Sequence, residues 1–202
     1  MHNFMNILVT CEFSGIVRTA FHSMGHTALS CDLLPSELPG LHYQGNIFDI
    51  LYEKWDMMIA FPPCTHLAIS GARWFSDKQK DGRQFKAIDF FLQLATCSHI
   101  PKICIENPIG IMSTHFRKPD QIIQPYEHGH PQNKKTCLWL KGIENLKPSN
   151  IVPTGDKVYF SNGKSMQKWY ADSWNLSDEE RRKLRSRTYC GIARAMAEQW
   201  GH

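Results

Sequence analysis

The chain has 202 residues, a mass of 23.3 kDa and a formal net charge of +4, from 23 Lys and Arg against 19 Asp and Glu. This length predicts one domain with a substantial core. The charge permits contact with a polyanion without requiring it. No apolar run approaches the roughly 18 residues of a membrane span. The seven cysteines show no CxxC pair or zinc-ligand spacing, and residues 1–5 lack a secretion signal, so we expect a cytoplasmic protein with reduced thiols, no metal and no membrane contact.

The first part of the chain alternates short apolar runs with helical patterns. Asn6–Thr10 predicts a strand, and the turn at Cys11–Gly15 precedes a helical pattern. Thr27–Cys31 predicts a second strand that leads directly into Asp32, and residues 56–60 predict a third. Strands that alternate with helices in this way predict an α/β fold with a doubly wound parallel sheet.

The later part of the chain continues this alternation, and its apolar runs then become shorter. Gln84–Cys97 predicts a helix, and Lys102–Ile105 predicts a strand that ends before Glu106-Asn107-Pro108. The remaining predicted elements are short antiparallel strands at Ile122–Ile123 and Thr136–Leu140, a small loop-rich insert over 142–175, a helix capped at Ser177 and a final helix over Gly191–Trp200.

A cysteine follows the predicted strand at 56–60 after two prolines. Pro62 and Pro63 prevent both a helix and further strand pairing, so Cys64 is expected on a rigid loop outside the carboxyl end of a strand. In an open α/β sheet, ligands bind at that edge. Cys64 is therefore either a nucleophile or a small apolar side chain packed under the loop, and this segment alone leaves both interpretations open.

Two features near the amino terminus are typical of a nucleoside site, and each also has an ordinary structural explanation. A glycine in the turn Cys11–Gly15 lets a ligand approach the amides of a helix N-terminus, although the GxGxxG pattern is absent. Asp32 ends the second strand, where a carboxylate can accept hydrogen bonds from a ribose. The alternatives are a simple turn and a solvated loop carboxylate.

The order of these segments resembles the cytosine-5 DNA methyltransferase family, and most of all short phage-encoded members with a Pro-Pro-Cys-Thr-x-Leu segment. The similarity runs from about Val9 to Thr136 and resumes at about residue 188, where Gly191–Ala197 is similar to the closing helix of the family. The matching segments are Phe13-Ser14-Gly15, Asp32, Gly45-Asn46-Ile47, Pro62-Pro63-Cys64, Glu106-Asn107-Pro108 and Gly129-His130-Pro131-Gln132-Asn133-Lys134.

The resemblance implies a Rossmann-like fold that binds S-adenosylmethionine, with a mostly parallel seven-stranded sheet and helices on both faces. It also implies methyl transfer to carbon 5 of cytosine in DNA, in a bacterial or phage-infected cell. Cys64 would be the nucleophile at carbon 6, Glu106 the acid at nitrogen 3 and Asn107 the support of the Glu106 loop. The other implied site residues are Lys134 in catalysis, Phe13, Ser14, Gly15, Asp32, Asn46 and Pro62 at the cofactor, and Pro63, Gln132 and Lys135 at the substrate.

The chain departs from the family pattern in ways that keep two other functions open. The second glycine of the usual Phe-x-Gly-x-Gly loop is replaced by Val17, Asn46 stands for an Asp, and the usual Gln-x-Arg-x-Arg becomes Gln132-x-Lys134-x-Thr136. Only about 45 residues separate Lys141 from Ser186, where duplex-reading members carry a large recognition domain. The alternatives are the same chemistry on a free pyrimidine nucleotide such as deoxycytidine monophosphate, and a non-catalytic DNA- or protein-binding protein with this fold.

Basic residues beyond the resemblance are candidates for contact with nucleic acid. Arg73 lies in His66–Trp74, a segment that we expect to be mobile and to close over a substrate, and it suits a phosphate or a surface ion pair. Residues 142–175 interleave lysines with tyrosines and tryptophans, which suits phosphate contact with base stacking or a solvated loop. The strongest basic run is Arg181, Arg182, Lys183, Arg185 and Arg187, either a solvated helix face or a nucleic-acid contact.

Overall fold

The computed structural model describes residues 4–202, apart from the side chain of Arg182. Residues 1–3, which belong to the predicted domain and to the segment judged for a secretion signal, lie outside the described residues. No helix within the described part of the chain is both long and apolar enough to cross a membrane.

Seven strands form one sheet in the order β3-β2-β1-β4-β5-β7-β6. The first five of these strands run parallel, and β7 runs antiparallel to both β5 and β6. The predicted mostly parallel seven-stranded sheet is therefore confirmed. The strands are β1 (Asn6–Thr10), β2 (Thr27–Asp32), β3 (His42–Gln44), β4 (Met57–Ala60), β5 (Lys102–Pro108), β6 (Gln121–Ile123) and β7 (Thr136–Lys141), and a separate hairpin joins β8 (Lys157–Tyr159) to β9 (Ser165–Gln167).

Helices cover both faces of the sheet, as expected. Ile7 and Val9 of β1 pack with the first and last helices on one face, and Leu8 of the same strand packs on the other face with the long central helix. Alternation along one strand thus divides the core into two layers. The helices are α1 (Ile16–Ser23), α2 (Phe75–Lys80), α3 (Arg83–Ala95), α4 (Met112–His115), α5 (Lys168–Asp172), α6 (Asp178–Ser186) and α7 (Cys190–Trp200).

The structure corrects the predicted end of β5. The apolar pattern predicts an end at Ile105, and pairing with the parallel neighbour β4 does stop there. The antiparallel neighbour β7 continues the ladder as far as Pro108 paired with Thr136. Glu106 and Asn107 therefore lie inside a strand rather than in a loop after it, because their backbone groups face a partner that the local sequence does not reveal.

One further prediction needs correction, and the structure adds detail at two other places. Residues His66–Trp74 do not form a loose loop, since a 3-10 helix covers Ile69–Trp74 and the Ile69 amide donates to the Ile109 carbonyl at 3.1 Å. The insert at 142–175 contains the hairpin β8–β9 and α5. Phe85 lies within the predicted helix at Gln84–Cys97 and is apolar, yet it is 60% exposed on α3. Strand β3 was not predicted because its three residues are polar or half-buried at the edge of the sheet.

Candidate functional site

The Cys64 loop begins where β4 ends and is fixed at both ends by backbone hydrogen bonds. The Phe61 amide donates to the Thr10 carbonyl at 3.0 Å, and the Cys64 carbonyl accepts from the amides of Leu67 and Ala68, both at 2.9 Å. Leu67 is fully buried. The half-buried Cys64 is thus held at the carboxyl edge of the sheet, as the two prolines predict.

Asn107 links the Glu106 strand to the Cys64 loop. Its side-chain amide donates a 2.7 Å hydrogen bond to the Pro62 carbonyl, and only 2% of the residue is exposed. The family resemblance implies that Asn107 supports the position of Glu106. The structure instead shows it supporting the turn that carries Cys64, while Glu106 is positioned by the β5–β7 ladder.

Glu106 stands in surroundings that favour its protonated form. Burial raises the pKa of this carboxyl above its ordinary value, while the positive charge of Lys134 and a hydrogen bond with the Thr136 side chain lower it. Thr136 occupies the position of the second arginine in the family pattern. Among the described residues, Lys134 is then the cation that acts on Glu106, and burial is the larger influence on the pKa of this carboxyl.

Two cations act on the Cys64 thiol. The Lys134 ammonium donates a 2.7 Å hydrogen bond to the Arg185 carbonyl, and the Arg185 guanidinium lies 4.9 Å from the centre of the Tyr170 ring. The positive charges of both residues lower the pKa of Cys64. The sequence analysis included Arg185 in a basic run and did not connect it with Cys64, because the effect of its charge on Cys64 depends on how α6 packs.

The net effect on Cys64 is a raised thiol pKa. Burial is the largest cause, and the negative charge of Glu106 raises the pKa further against the opposing cations Lys134 and Arg185. Cys64, Glu106 and Lys134, drawn from three separate segments, therefore influence one another electrostatically. Proton occupancy on Glu106 and ionisation of Cys64 are coupled, because a proton on Glu106 removes the charge that disfavours the thiolate.

The segment with Gly129 and His130 docks the last helix beside the site. The His130 ring accepts a 2.9 Å hydrogen bond from the Gly191 amide, and a Cβ at Gly191 would collide with the His128 carbonyl. His128 contacts the Ser149 hydroxyl at 3.1 Å. The described residues contain no group of three potential metal ligands. Both histidines thus have structural contacts, and the close approach explains why a glycine occupies the second position of α7.

The turn after β1 is organised by Glu12, which sequence reasoning missed. Its buried carboxylate accepts hydrogen bonds from the amides of Val17 (2.6 Å) and Arg18 (3.4 Å) and from the Ser14 hydroxyl (3.1 Å). The glycine in this turn is predicted to open the helix amides to a ligand. That reasoning is wrong for the first turn of α1, because Glu12 already occupies those donors. Burial raises the pKa of Glu12 to about 7, against the lowering effect of these hydrogen bonds.

The side chain of Arg18 explains the glycine itself. Gly15 adopts a φ of 72°, and a Cβ there would lie 2.5 Å from the Arg18 guanidinium. That fully buried group donates to the carbonyls of Leu38 and Pro39, both at 2.8 Å. Gly15 is therefore required by the packing of the loop after β2, and this requirement is independent of any ligand.

The other predicted cofactor residues lie at the same edge of the sheet. Asp32 ends β2, and one of its oxygens accepts from the Leu34 amide at 2.9 Å. Burial raises the pKa of this carboxyl. Asn46 is exposed and caps a 3-10 helix by accepting from the Phe48 amide at 3.1 Å. Phe13 is half-buried and lies in the turn after β1. A carboxylate oxygen on Asp32, a half-buried ring and the Pro62 turn fit a ribose-containing cofactor, whereas the α1 amides do not take part.

The structure does not bring every predicted substrate residue to Cys64. Arg73 is exposed, with its guanidinium 5.1 Å from the Trp74 ring centre, and Lys135 is also exposed. Within the described residues, neither is among the charges that act on the Cys64 thiol. Pro63 lines a groove with His66 and Phe90. Gln132 is half-buried against the insert.

No protein-family model matches the chain, and no curated protein matches it. Among solved structures, the co-crystal structure of WbdD with the kinase inhibitor LY294002 is a neighbour with a TM-score of 0.36 and 13% sequence identity. The match covers 91% of this chain and 48% of that chain, so this chain spans about half the length of the neighbour. A likeness at this level carries no argument about function.

Proposed function

We propose that the protein is an S-adenosylmethionine-dependent methyltransferase that acts on carbon 5 of cytosine in DNA through a covalent Cys64 adduct. The observation that carries the proposal is the grouping of Cys64, Glu106 and Lys134 at the carboxyl edge of the sheet, where their charges act on one another. A thiol, a carboxyl with a raised pKa and a cation are the groups that this reaction requires.

The residues have defined parts in the reaction. The Cys64 sulfur forms a bond to carbon 6 of cytosine, and the electron pair of the carbon 5–carbon 6 double bond moves towards the ring nitrogen. Glu106 gives its proton to nitrogen 3, so that negative charge does not accumulate on the ring. Carbon 5 thereby becomes nucleophilic. After transfer of the methyl group, a base removes the proton on carbon 5, and the carbon–sulfur bond breaks with its electron pair leaving on Cys64. The proton on nitrogen 3 returns to Glu106, so that the aromatic ring and both side chains are restored.

The electrostatic coupling between Glu106 and Cys64 links formation of the thiolate to protonation of the carboxyl. Transfer of the thiol proton to the carboxylate would produce a thiolate and a neutral carboxyl in one step. The raised pKa of Glu106 and the charges of Lys134 and Arg185 favour that transfer, whereas burial of Cys64 opposes it. This chain has Thr136 where the family pattern has an arginine, and this difference is compatible with the scheme. A second cation beside Glu106 would favour the ionised carboxylate.

S-adenosylmethionine supplies the methyl group when it is bound. Asp32, Phe13, Asn46 and Pro62 are the residues that would hold it, since they lie at the carboxyl ends of β2, β1, β3 and β4. A carboxylate at Asp32 suits ribose hydroxyls. Glu12 and Ser14 would act indirectly, by fixing the turn that precedes α1.

One observation favours a second substrate. The segment between β7 and α6 is short and contains one small hairpin, so a duplex-reading domain of the usual size is absent from the described residues. A free nucleotide such as deoxycytidine monophosphate needs no such domain. If DNA is the substrate, the target base must leave a duplex or be presented in a single strand, because Cys64 is recessed at the sheet edge.

In the experiment, the protein is incubated with labelled S-adenosylmethionine and, in parallel reactions, with duplex DNA, single-stranded DNA or deoxycytidine monophosphate. We expect methyl transfer to DNA, its abolition in Cys64→Ala, and normal activity in Cys190→Ala, which changes an exposed free cysteine outside the site. With 5-fluorocytosine in the substrate, the carbon 5 substituent cannot leave as a proton, so the wild type should be trapped in a denaturation-resistant adduct.

The outcomes separate the alternatives. Transfer to the mononucleotide alone would select the free-nucleotide function. Full transfer by Cys64→Ala would contradict the covalent mechanism. Binding of DNA without transfer to any of the three substrates would favour a non-catalytic role for this fold.

A further inference from the structure

The ammonium group of Lys134 is held by groups from the carboxyl-terminal helices. It donates a 2.7 Å hydrogen bond to the Arg185 carbonyl in α6, and it lies 5.9 Å from the centre of the Tyr189 ring, which precedes α7. In the described part of the chain, no carboxylate forms an ion pair with it. A lysine ammonium is a compact charge on a flexible four-carbon stem. Its position therefore depends on a carbonyl and an aromatic face.

The Tyr189 ring is itself fixed from two sides. The Tyr189 carbonyl accepts a hydrogen bond from the Ala193 amide at 3.0 Å, and the ring centre lies 5.1 Å from that of the His130 ring. Burial raises the pKa of the phenol to about 12, so the hydroxyl keeps its proton near neutral pH. The ring thus attracts a cation through its π face rather than through a phenolate charge.

A second tyrosine ring holds the second cation of the site in the same way. The Arg185 guanidinium lies 4.9 Å from the centre of the Tyr170 ring and forms no ion pair with a carboxylate of the described residues. The edges of Trp169 and Trp174 pack against Tyr170, with ring centres at 5.6 and 6.4 Å. Two tyrosine faces therefore contact the two cations whose charges act on Cys64.

We propose that Tyr189 and Tyr170 are positioning residues, which hold the Lys134 ammonium and the Arg185 guanidinium where their charges act on Cys64. A cation stabilises a thiolate only while it stays near the sulfur, because the attraction falls with distance and with exposure to water. The side chains of Lys134 and Arg185 are long and only half-buried, so packing alone does not confine their charged ends. The proposal deepens the proposed function, on which it rests for the need of a thiolate.

The test measures alkylation of Cys64 by iodoacetamide at about pH 8, without cofactor or substrate, by mass spectrometry of the Cys64 peptide. Below the pKa of the thiol, the rate follows the thiolate fraction. We expect Tyr189→Leu and Tyr170→Leu each to slow alkylation about threefold, which corresponds to a rise of about half a unit in the pKa of Cys64. The control Tyr52→Leu removes a 77% exposed ring that stacks on His99 at 5.2 Å, and it should leave the rate unchanged.

Two further comparisons separate positioning from a general structural effect. Tyr189→Phe and Tyr170→Phe keep the ring face and should react like the wild type. In a Lys134→Gln background, Tyr189→Leu should have no further effect, because the cation that the ring holds is gone. Tyr170→Leu should likewise have no further effect in an Arg185→Gln background. A loss of packing that only changed access to Cys64 would slow alkylation in these backgrounds as well.

Leucine variants that react like the wild type would overturn the proposal, and so would threefold effects that persist when the matching cation is absent. Circular dichroism verifies folding of each variant. Tyr170 lies outside both core clusters, so its comparison decides the outcome if Tyr189→Leu does not fold.

Methyl transfer is assayed separately, because alkylation needs neither the cofactor nor a substrate. Slower alkylation in the leucine variants, together with no methyl transfer by the wild type, would contradict the proposed function and leave the placement of the two cations. Methyl transfer by the wild type with unchanged alkylation in the leucine variants would do the reverse.

Discussion

The Asn107 side-chain amide donates a 2.7 Å hydrogen bond to the Pro62 carbonyl, across 45 positions of sequence. This contact joins the strand that carries Glu106 to the turn that carries Cys64. Asn107 is buried, with 2% exposure. The relative position of the two groups proposed for catalysis is therefore fixed by this side chain as well as by the pairing of β4 with β5.

Asn107→Ala should destabilise the protein by about 1–3 kcal/mol, because it leaves the buried Pro62 carbonyl without its donor. The change should also reduce methyl transfer more than it reduces cofactor affinity. Urea unfolding measures the stability, with the exposed Asn133→Ala as control. A free energy of unfolding equal to that of the control would show that the contact does not fix the turn.

Substitutions of the charged neighbours should move the Cys64 pKa in opposite directions. Glu106 raises this pKa and Lys134 lowers it, so Glu106→Gln should lower it and Lys134→Gln should raise it. Alkylation by iodoacetamide at a series of pH values, read by mass spectrometry of the Cys64 peptide, measures both shifts. Lys135→Gln changes an exposed lysine and should leave the profile unchanged. Shifts of the same sign in both variants would contradict the described arrangement.

Glu12 should make stability depend on pH. Burial raises its pKa from 4.5 to about 7, so its protonated form is favoured on folding. The resulting stabilisation is complete below about pH 4.5 and is lost as the pH rises through 7, by about 3 kcal/mol in all. Between pH 5 and 8, the free energy of unfolding should therefore fall more steeply for the wild type than for Glu12→Gln. The exposed Glu53→Gln should follow the wild type, and parallel curves for all three proteins would refute the assignment.

Asp32→Ala should weaken S-adenosylmethionine and S-adenosylhomocysteine binding by roughly 1–3 kcal/mol, the cost of losing hydrogen bonds to a carboxylate. Titration calorimetry measures both ligands. Asp89→Ala, on the exposed surface of α3, is the control. Failure of the wild type to bind either ligand would count against any methyltransferase function.

The basic run at 181–187 should divide into structural and DNA-contacting residues. The Arg181 guanidinium donates to the carbonyls of Ser173 (3.2 Å) and Leu176 (3.1 Å), so Arg181→Gln should lower stability and leave the salt slope of DNA binding unchanged. Arg185 acts on Cys64, and Arg185→Gln should flatten that slope by about one unit. Equal slopes for Arg185→Gln and the wild type would exclude a phosphate contact by Arg185.

The sequence by itself determined the elements that follow from local pattern. Apolar runs bounded by proline, glycine or an acid predict where strands lie, and they place Cys64 and Asp32 at the carboxyl edge of a parallel sheet. The pattern also predicts the helix cap at Ser177, where both hydrogen bonds of the capping box are present. These features depend on the period of side chains and on backbone restrictions, which neighbouring residues fix.

Only the tertiary structure decided which groups meet. β5 continues through Glu106 because β7 pairs with it, and Lys134 reaches the Arg185 carbonyl across 51 positions. Glu12 accepts hydrogen bonds from the first amides of α1, and Asn107 donates one to the Pro62 carbonyl. Neither contact has a periodic signal in the sequence. Such contacts arise when separately formed elements pack and each buried polar group must find a partner. The surroundings of Cys64 are therefore a property of the packed sheet, whereas its position after a strand is a property of the sequence.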